Sequence, residues 1–191
     1  MAKVWIMQPE FQTVFDLTGQ PDLIHPPYWF LAIFLVVGIF LSIFAWLAVK
    51  KRWRLRRSLP LIAIGWVVIW VYAVVAEFRG AAAIRDAVVS GHVEVAEGCL
   101  DYFRPGAASG SKTTAGNEMW SVGGLAFSYG SGEVRPAFHA VSTAGGPVRA
   151  DARARVFFVM NPEHGRREIV RLDLAPHACP RARHIEPYAE P

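Results

Sequence analysis

Two long uncharged stretches, separated by a short run of positive charge, constrain this 191-residue chain more than any other feature. The first, residues 28 to 49 (YWFLAIFLVVGIFLSIFAWLAV), has Ser42 as its interior polar residue and no charge. At 1.5 Å per residue a helix of this length reaches about 33 Å, enough for a hydrocarbon core of roughly 30 Å. The second, residues 59 to 78 (LPLIAIGWVVIWVYAVVAEF), is charged only at Glu77, near its end. A domain this small has no interior able to hide two helices that are apolar on every side, so both read as transmembrane helices. A cleaved leader fits poorly. Asp16, Asp22 and Pro26-Pro27 precede the first span, Lys3 is the one basic residue there, and the run exceeds a signal-peptide core.

The connecting segment 50–58 carries Lys50, Lys51, Arg52, Arg54, Arg56 and Arg57 and no acidic residue. Short loops rich in Lys and Arg stay on the cytoplasmic side. This predicts an N-terminal segment (1–27) and a long C-terminal region that both lie outside the cytoplasm. The expected location is a bacterial inner membrane, with both termini on its periplasmic side. Trp29 at the outer end, and Trp46 and Trp53 near the inner end, suit interfacial anchoring. The lipid bilayer is thus the first expected partner, and the basic loop attracts anionic headgroups without needing a specific site. No ionisable residue lies in the middle of either span, which argues against an ion path or proton relay. Gly38 and Gly65 could allow close helix approach, but neither falls in a GxxxG spacing. The spans read as an anchor.

The remainder is a different kind of sequence. Residues 79–91 (RGAAAIRDAVVSG) have helical composition and either extend the second helix or form a short connector. Residues 92–103 alternate apolar and polar side chains as a strand does, and Gly98 suggests a bulge. Residues 104–117, rich in Gly, Ser, Thr and Ala, read as a loop. Segments 118–122 and 125–129 flank Gly123-Gly124, the signature of a tight hairpin. Residues 130–152 are irregular, with at most a short strand or a single helical turn near 134–141. Segments 153–160 and 167–174 make a second hairpin, and the Pro-rich residues 176–191 read as a trailing tail. The expected fold is therefore an α+β membrane protein: a two-helix transmembrane hairpin carrying a small five-stranded, barrel-like β domain (92–175) of OB or SH3-like kind, with another curved sheet as the alternative that pattern alone does not separate.

Glu118, Trp120, Val122, Gly124, Phe127 and Tyr129, followed by Phe138 and then Gly145, Gly146, Pro147 and Arg149, form a recognisable pattern. Over 118–159 it resembles the core of a family of small, uncharacterised bacterial proteins with an E-x-[FW]-x-V-x-G-x-x-F-x-Y element and a later G-G-P-[IV]-R. Ala137, His139 and Gly130 depart from that family's pattern. The resemblance implies a bacterial β-rich domain and carries no activity with it.

Candidate chemistry is sparse. Cys99 and Cys179 both fall outside the cytoplasm in this reading, one in the first strand and one past the last, and a disulfide between them suits an oxidising compartment. Two free thiols are the alternative; without C-x-x-C spacing, zinc has little support. His139, beside a Gly-rich stretch, is the one histidine worth singling out as a general base or ligand, yet no Ser, Cys or acidic partner accompanies it in sequence. Gly145-Gly146-Pro147 lacks the Lys-Ser/Thr of a phosphate loop. Arg149, Arg153, Arg155, Arg166, Arg167 and Arg171 crowd the last hairpin, but residues 79–191 hold 13 basic against 12 acidic groups, which argues against a nucleic-acid partner. No catalytic set, cofactor or metal is expected. The reading is a non-enzymatic accessory or scaffold protein that presents its β domain to a protein or envelope partner. Two alternatives stand beside it: a subunit of a larger membrane complex that uses the spans as interface, and an envelope hydrolase or thiol-active protein.

Overall fold

The computed structural model describes residues 10–51, 58–106, 116–133, 135–163 and 165–182. Its order is β1 (Gln12–Asp16), a 3-10 turn (Pro21–Leu23), α1 (Tyr28–Lys50), α2 (Ser58–Val89), β2 (Glu94–Arg104), β3 (Glu118–Val122), β4 (Leu125–Tyr129), a second 3-10 turn (Ser142–Ala144), β5 (Arg153–Asn161) and β6 (Arg166–Ala175).

Both α1 and α2 are long and apolar enough to cross a membrane. Only 11% and 6% of the residues in their most apolar stretches are buried, so neither stretch is a core helix of the β domain. Ile39, Phe40, Phe44, Val68, Ile69 and Tyr72 are among the large side chains they leave bare. The two helices pack antiparallel. Gly38 leaves room for the Trp66 ring, since a Cβ there would sit 3.1 Å from Trp66 Cδ1. Trp66 stacks on Phe34 at 5.4 Å, and its Nε1–H donates to the Phe34 carbonyl at 3.1 Å. Trp70 donates likewise to the Leu31 carbonyl at 3.2 Å. Indole rings with satisfied N–H groups thus fasten the hairpin, with close approach at Gly38 and none at Gly65. Residues 52–57, with Arg52, Arg54, Arg56 and Arg57 of the basic loop, lie outside the described residues.

Among the described residues the sheet has six strands, one more than the sequence pattern suggested, in the order β1-β6-β5-β2-β3-β4. All neighbours are antiparallel. The extra strand comes from the N-terminal segment, which pairs with β6 (Gln12↔Leu174, Asp16↔Arg171) before descending to α1. β1 and β4 are outer strands, so the sheet is open and the closed barrel is corrected. The register of β2 against β3 shifts between Leu100 and Tyr102, not at Gly98, which keeps regular pairing with Ala154. Gly98 serves another purpose: a Cβ there would meet Val122 at 3.4 Å. The turn residues Gly123 and Gly124 have φ of 57° and 76°, the positive values that a two-residue hairpin demands.

What fills the open side is the irregular stretch near 134–141, whose described residues form neither strand nor helix. Phe138 donates its N–H to the Ile169 carbonyl at 3.0 Å. Its ring lies between Phe15 of β1, at 5.5 Å, and Tyr129 of β4, at 5.3 Å. One aromatic plug therefore joins the two outer strands. The main core beneath it includes Trp120, Phe127, Val156, Phe158 and Leu172, all essentially buried.

A second core lies on the opposite face of the sheet. There Ile84 of α2 packs with Leu17, Ile24, Val159 of β5 and Val170 of β6. Residues 79–89 are thus the last turns of α2 itself, not a separate connector, and they belong to the β domain.

Candidate functional site

The residues of the sequence motif converge, but on the core. Glu118 is fully buried, and its Oε1 accepts from the Tyr129 hydroxyl at 2.7 Å. Its Oε2 accepts from both the backbone N–H and the hydroxyl of Ser142, each at 2.6 Å. Tyr129 in turn accepts from Trp120 Nε1–H at 2.9 Å. Burial, reinforced by the adjacent Glu118 carboxylate, pushes the Tyr129 phenol far above its ordinary range. Every polar atom in this chain of bonds is used, so the motif supports the hairpin β3–β4 and the turn at 142–144. Gly146 belongs to the same scaffold: a Cβ there would lie 2.1 Å from the Ala140 carbonyl oxygen. Sequence reading took these residues as a family signature; their common role is polar satisfaction and close packing.

His139 lies in a different place, a cleft of about 480 Å³ between the start of α1 and the loop 131–139. Leu23, His25, Trp29, Glu133 and Arg135 also line it. His139 Nδ1 is 2.7 Å from the Ala137 carbonyl, and His25 Nδ1 is 3.0 Å from that of Pro26. If those nitrogens carry the protons, each ring is held with Nε2 as its remaining acceptor. Arg135 is committed to Glu133 and Glu168, which leaves it without a free charge for a ligand. Among the described residues no group of three His, Cys, Asp or Glu could hold a metal ion.

Cys99 and Cys179 are joined in a disulfide with a Cα–Cα distance of 5.7 Å, closing a separation of 80 residues. The tail is tied down further where Cys179 N–H donates to the Asp151 carbonyl and Ala182 N–H to that of Ala150. Residues 176–182 therefore form a wall of the domain and do not trail away. His164, His184 and the rest of the tail lie outside the described residues.

The arginines around the last hairpin do not form a free basic groove. Arg153 and Arg155 both pair with Glu97, and Arg155 lies 4.4 Å from the Phe11 ring centre. Arg155 and Arg153 hold the Glu97 carboxyl below its ordinary range. Arg171 pairs with Asp173, Arg166 with Glu133, and Arg167 donates to the Ala126 carbonyl. Arg149 donates to the carbonyls of Gly146 and Val148. Arg149 also faces a second cleft, at the end of the sheet farthest from the helices, which no sequence pattern announces. Its walls come from β2, the 149–151 turn and the tail, three segments distant in sequence.

Comparison with family models, curated proteins and solved structures finds no match for this chain.

Proposed function

We propose that this chain is a two-pass protein of a bacterial cytoplasmic membrane, an accessory or scaffold protein that holds its β domain at a fixed attitude outside the cytoplasm for contact with a protein or envelope partner. The observation that carries the reading is the continuity of α2. One helix runs from Ser58 to Val89 without a break, and its last turns bury Ile84 in the second core of the sheet. An anchor joined by a loose linker would leave the domain free to tumble. Here the Arg85–Asp22 pair and the descent of β1 into α1 add a second attachment to the same platform. The six basic residues of the loop 50–57 support the orientation.

The test inserts a flexible Gly-Ser segment between Phe78 and Arg79, which keeps the anchor and the domain but uncouples them. Photo-crosslinking from the domain surface in intact cells should give discrete adducts for the native chain and lose them for the insertion variant. Identical adduct patterns would overturn presentation at a fixed attitude.

A second reading, a subunit of a larger complex that uses its spans as interface, draws on an apolar groove of about 300 Å³ along the hairpin, lined by Gly38, Ser42, Trp66 and Trp70. Native electrophoresis of the detergent-solubilised chain separates the two: a single-chain size argues against it. The thiol-active alternative has both cysteines engaged with each other.

A further inference from the structure

The cleft at the membrane-distal end of the sheet has a volume of about 700 Å³ and is lined by Phe103, Pro105, Arg149, Asp151, His177 and Arg181, with Ala150 and Ala182 between them. That volume is of the order that small-molecule sites occupy. Three of its side chains are cationic or can become so, and one is acidic. Asp151 accepts from His177 Nδ1–H at 2.5 Å, and that bond, with Arg181 nearby, holds its carboxyl below the ordinary range. The acid is thus committed to orienting the imidazole, whose Nε2 donates to an anion when both ring nitrogens carry protons. Residues 79–191 as a whole are almost neutral, with 13 basic and 12 acidic groups. Two arginines against one paired carboxylate are therefore a local excess of positive charge.

The Arg149 side chain and the backbone that carries His177 and Arg181 are also held in place. Arg149 is fixed by the carbonyls of Gly146 and Val148. His177 has φ of 54°, the one non-glycine residue with positive φ among the described residues, a conformation that a side chain with a Cβ rarely adopts. Such outliers persist where the surroundings over-determine them, and here the surroundings are the Cys99–Cys179 bond and two backbone hydrogen bonds from Cys179 and Ala182. Phe103 adds an apolar surface beside the cationic groups.

We infer that this cleft binds a small oxyanion, a carboxylate or phosphate carried on a flat or apolar body, with Arg149, Arg181 and His177 on the anion and Phe103 against the body. Guanidinium groups match the planar carboxylate and the phosphate edge, and a buried-side aromatic ring supplies the rest of the contact. The site stands whether or not the chain is a membrane scaffold, because it is built within the β domain alone. It also depends on the disulfide, since His177 and Arg181 flank Cys179 by two residues on either side.

The test uses the full chain in detergent micelles and isothermal titration with phenyl phosphate, benzoate, inorganic phosphate and benzyl alcohol. Phenyl phosphate or benzoate should bind saturably and more tightly than inorganic phosphate or benzyl alcohol, and the tighter of the two tells phosphate from carboxylate. Arg181→Gln should weaken that binding about tenfold, the loss of one charge-assisted contact, at unchanged melting temperature. Arg153→Gln, on the neighbouring surface and paired with Glu97, should leave it unchanged. Reduction of the disulfide should weaken it as well, which a diffuse attraction between charges would not. Absence of saturable binding by either aromatic anion, or equal affinity in Arg181→Gln, would overturn the site.

Discussion

Gly80 of α2 lies against the side chain of Asn161 at the end of β5: a Cβ on Gly80 would come 3.4 Å from Asn161 Nδ2. Asn161 is 2% exposed and its Oδ1 caps the following turn by accepting from Glu163 N–H. The contact sits where the helix leaves its bare apolar stretch and becomes part of the domain, one turn before Ile84. It is the lower edge of the second core, and it sets how closely helix and sheet approach.

Removing the centre of that core should destabilise the domain. Ile84 is 1% exposed, and Ile84→Ala leaves a cavity between α2 and the sheet worth about 2–4 kcal/mol. Thermal unfolding of the detergent-solubilised chain, followed by near-ultraviolet circular dichroism, should show the lower midpoint. Val89→Ala, at a side chain 68% exposed on the same helix, should leave the midpoint unchanged. Equal effects from both would mean that the helix extension does not pack on the sheet.

The buried phenol predicts an alkaline limit to stability. Tyr129 has its folded-state pKa raised by burial and by Glu118, while in the unfolded chain it titrates near the ordinary phenol value of about 10. Below that value both states hold the proton and the group is neutral to the balance. Above it the unfolded chain releases a proton that the folded one keeps, and stability falls by about 1.4 kcal/mol per pH unit. Tyr129→Phe should abolish this slope between the native and variant stability curves. It should also cost about 1–3 kcal/mol at neutral pH, because Trp120 Nε1–H and Glu118 Oε1 lose their partner. Denaturant titrations at pH 7 and above pH 10 read both effects, and parallel curves for the two proteins would contradict the linkage.

The parts of this fold legible in the sequence are those with local causes. Both hairpins follow from alternation around Gly123-Gly124 and around residues 161–166, and the long helices follow from uninterrupted apolar runs. What the pattern hid has partners far along the chain. β1 is five residues long and largely exposed, so it carries no amphipathic signal; its identity depends on β6, some 160 residues later. The helical character of 79–89 was visible, but its buried face is defined by Val159 and Val170, which periodicity on α2 alone does not reveal. The open sheet was read as closed because strand count and spacing do not report whether the outer strands meet; Phe138 stands between them instead. Among candidate residues, Cys99 and Cys179 were singled out from their places at the ends of the domain, and His139 from its loop. Arg181 and Asp151 were not, since only the tail folding back on residues 150 and 151 brings them together.

Orientation rests on charge. Replacing Lys50, Lys51, Arg52, Arg54, Arg56 and Arg57 with Gln or Ser should give mixed orientations, because no other segment near the spans has comparable positive charge. A reporter active only in the cytoplasm, fused after Pro191, should be silent in the native chain and become partly active in the variant. The same reporter inserted in the loop should be active in the native chain. A fully active C-terminal fusion of the native chain would reverse the proposed topology.

The disulfide should matter more here than in a larger domain. It links β2 to the tail across a separation of 80 residues, and closing a loop of that size stabilises a fold by about 2–4 kcal/mol. The test needs the full chain, because a fragment beginning at residue 92 would lack β1, Ile84 and the second core. Reductant should lower the unfolding midpoint of the solubilised protein, and Cys99→Ser should lower it by a similar amount. Adding Cys179→Ser to that variant should change little further, since either substitution removes the whole bond. Were Cys99 only an apolar side chain in the sheet, its replacement would cost the same with or without reductant, and Cys179→Ser alone would be neutral. Non-additivity thus separates a covalent closure from ordinary packing, and equal midpoints in oxidised and reduced samples would rule the closure out as a source of stability.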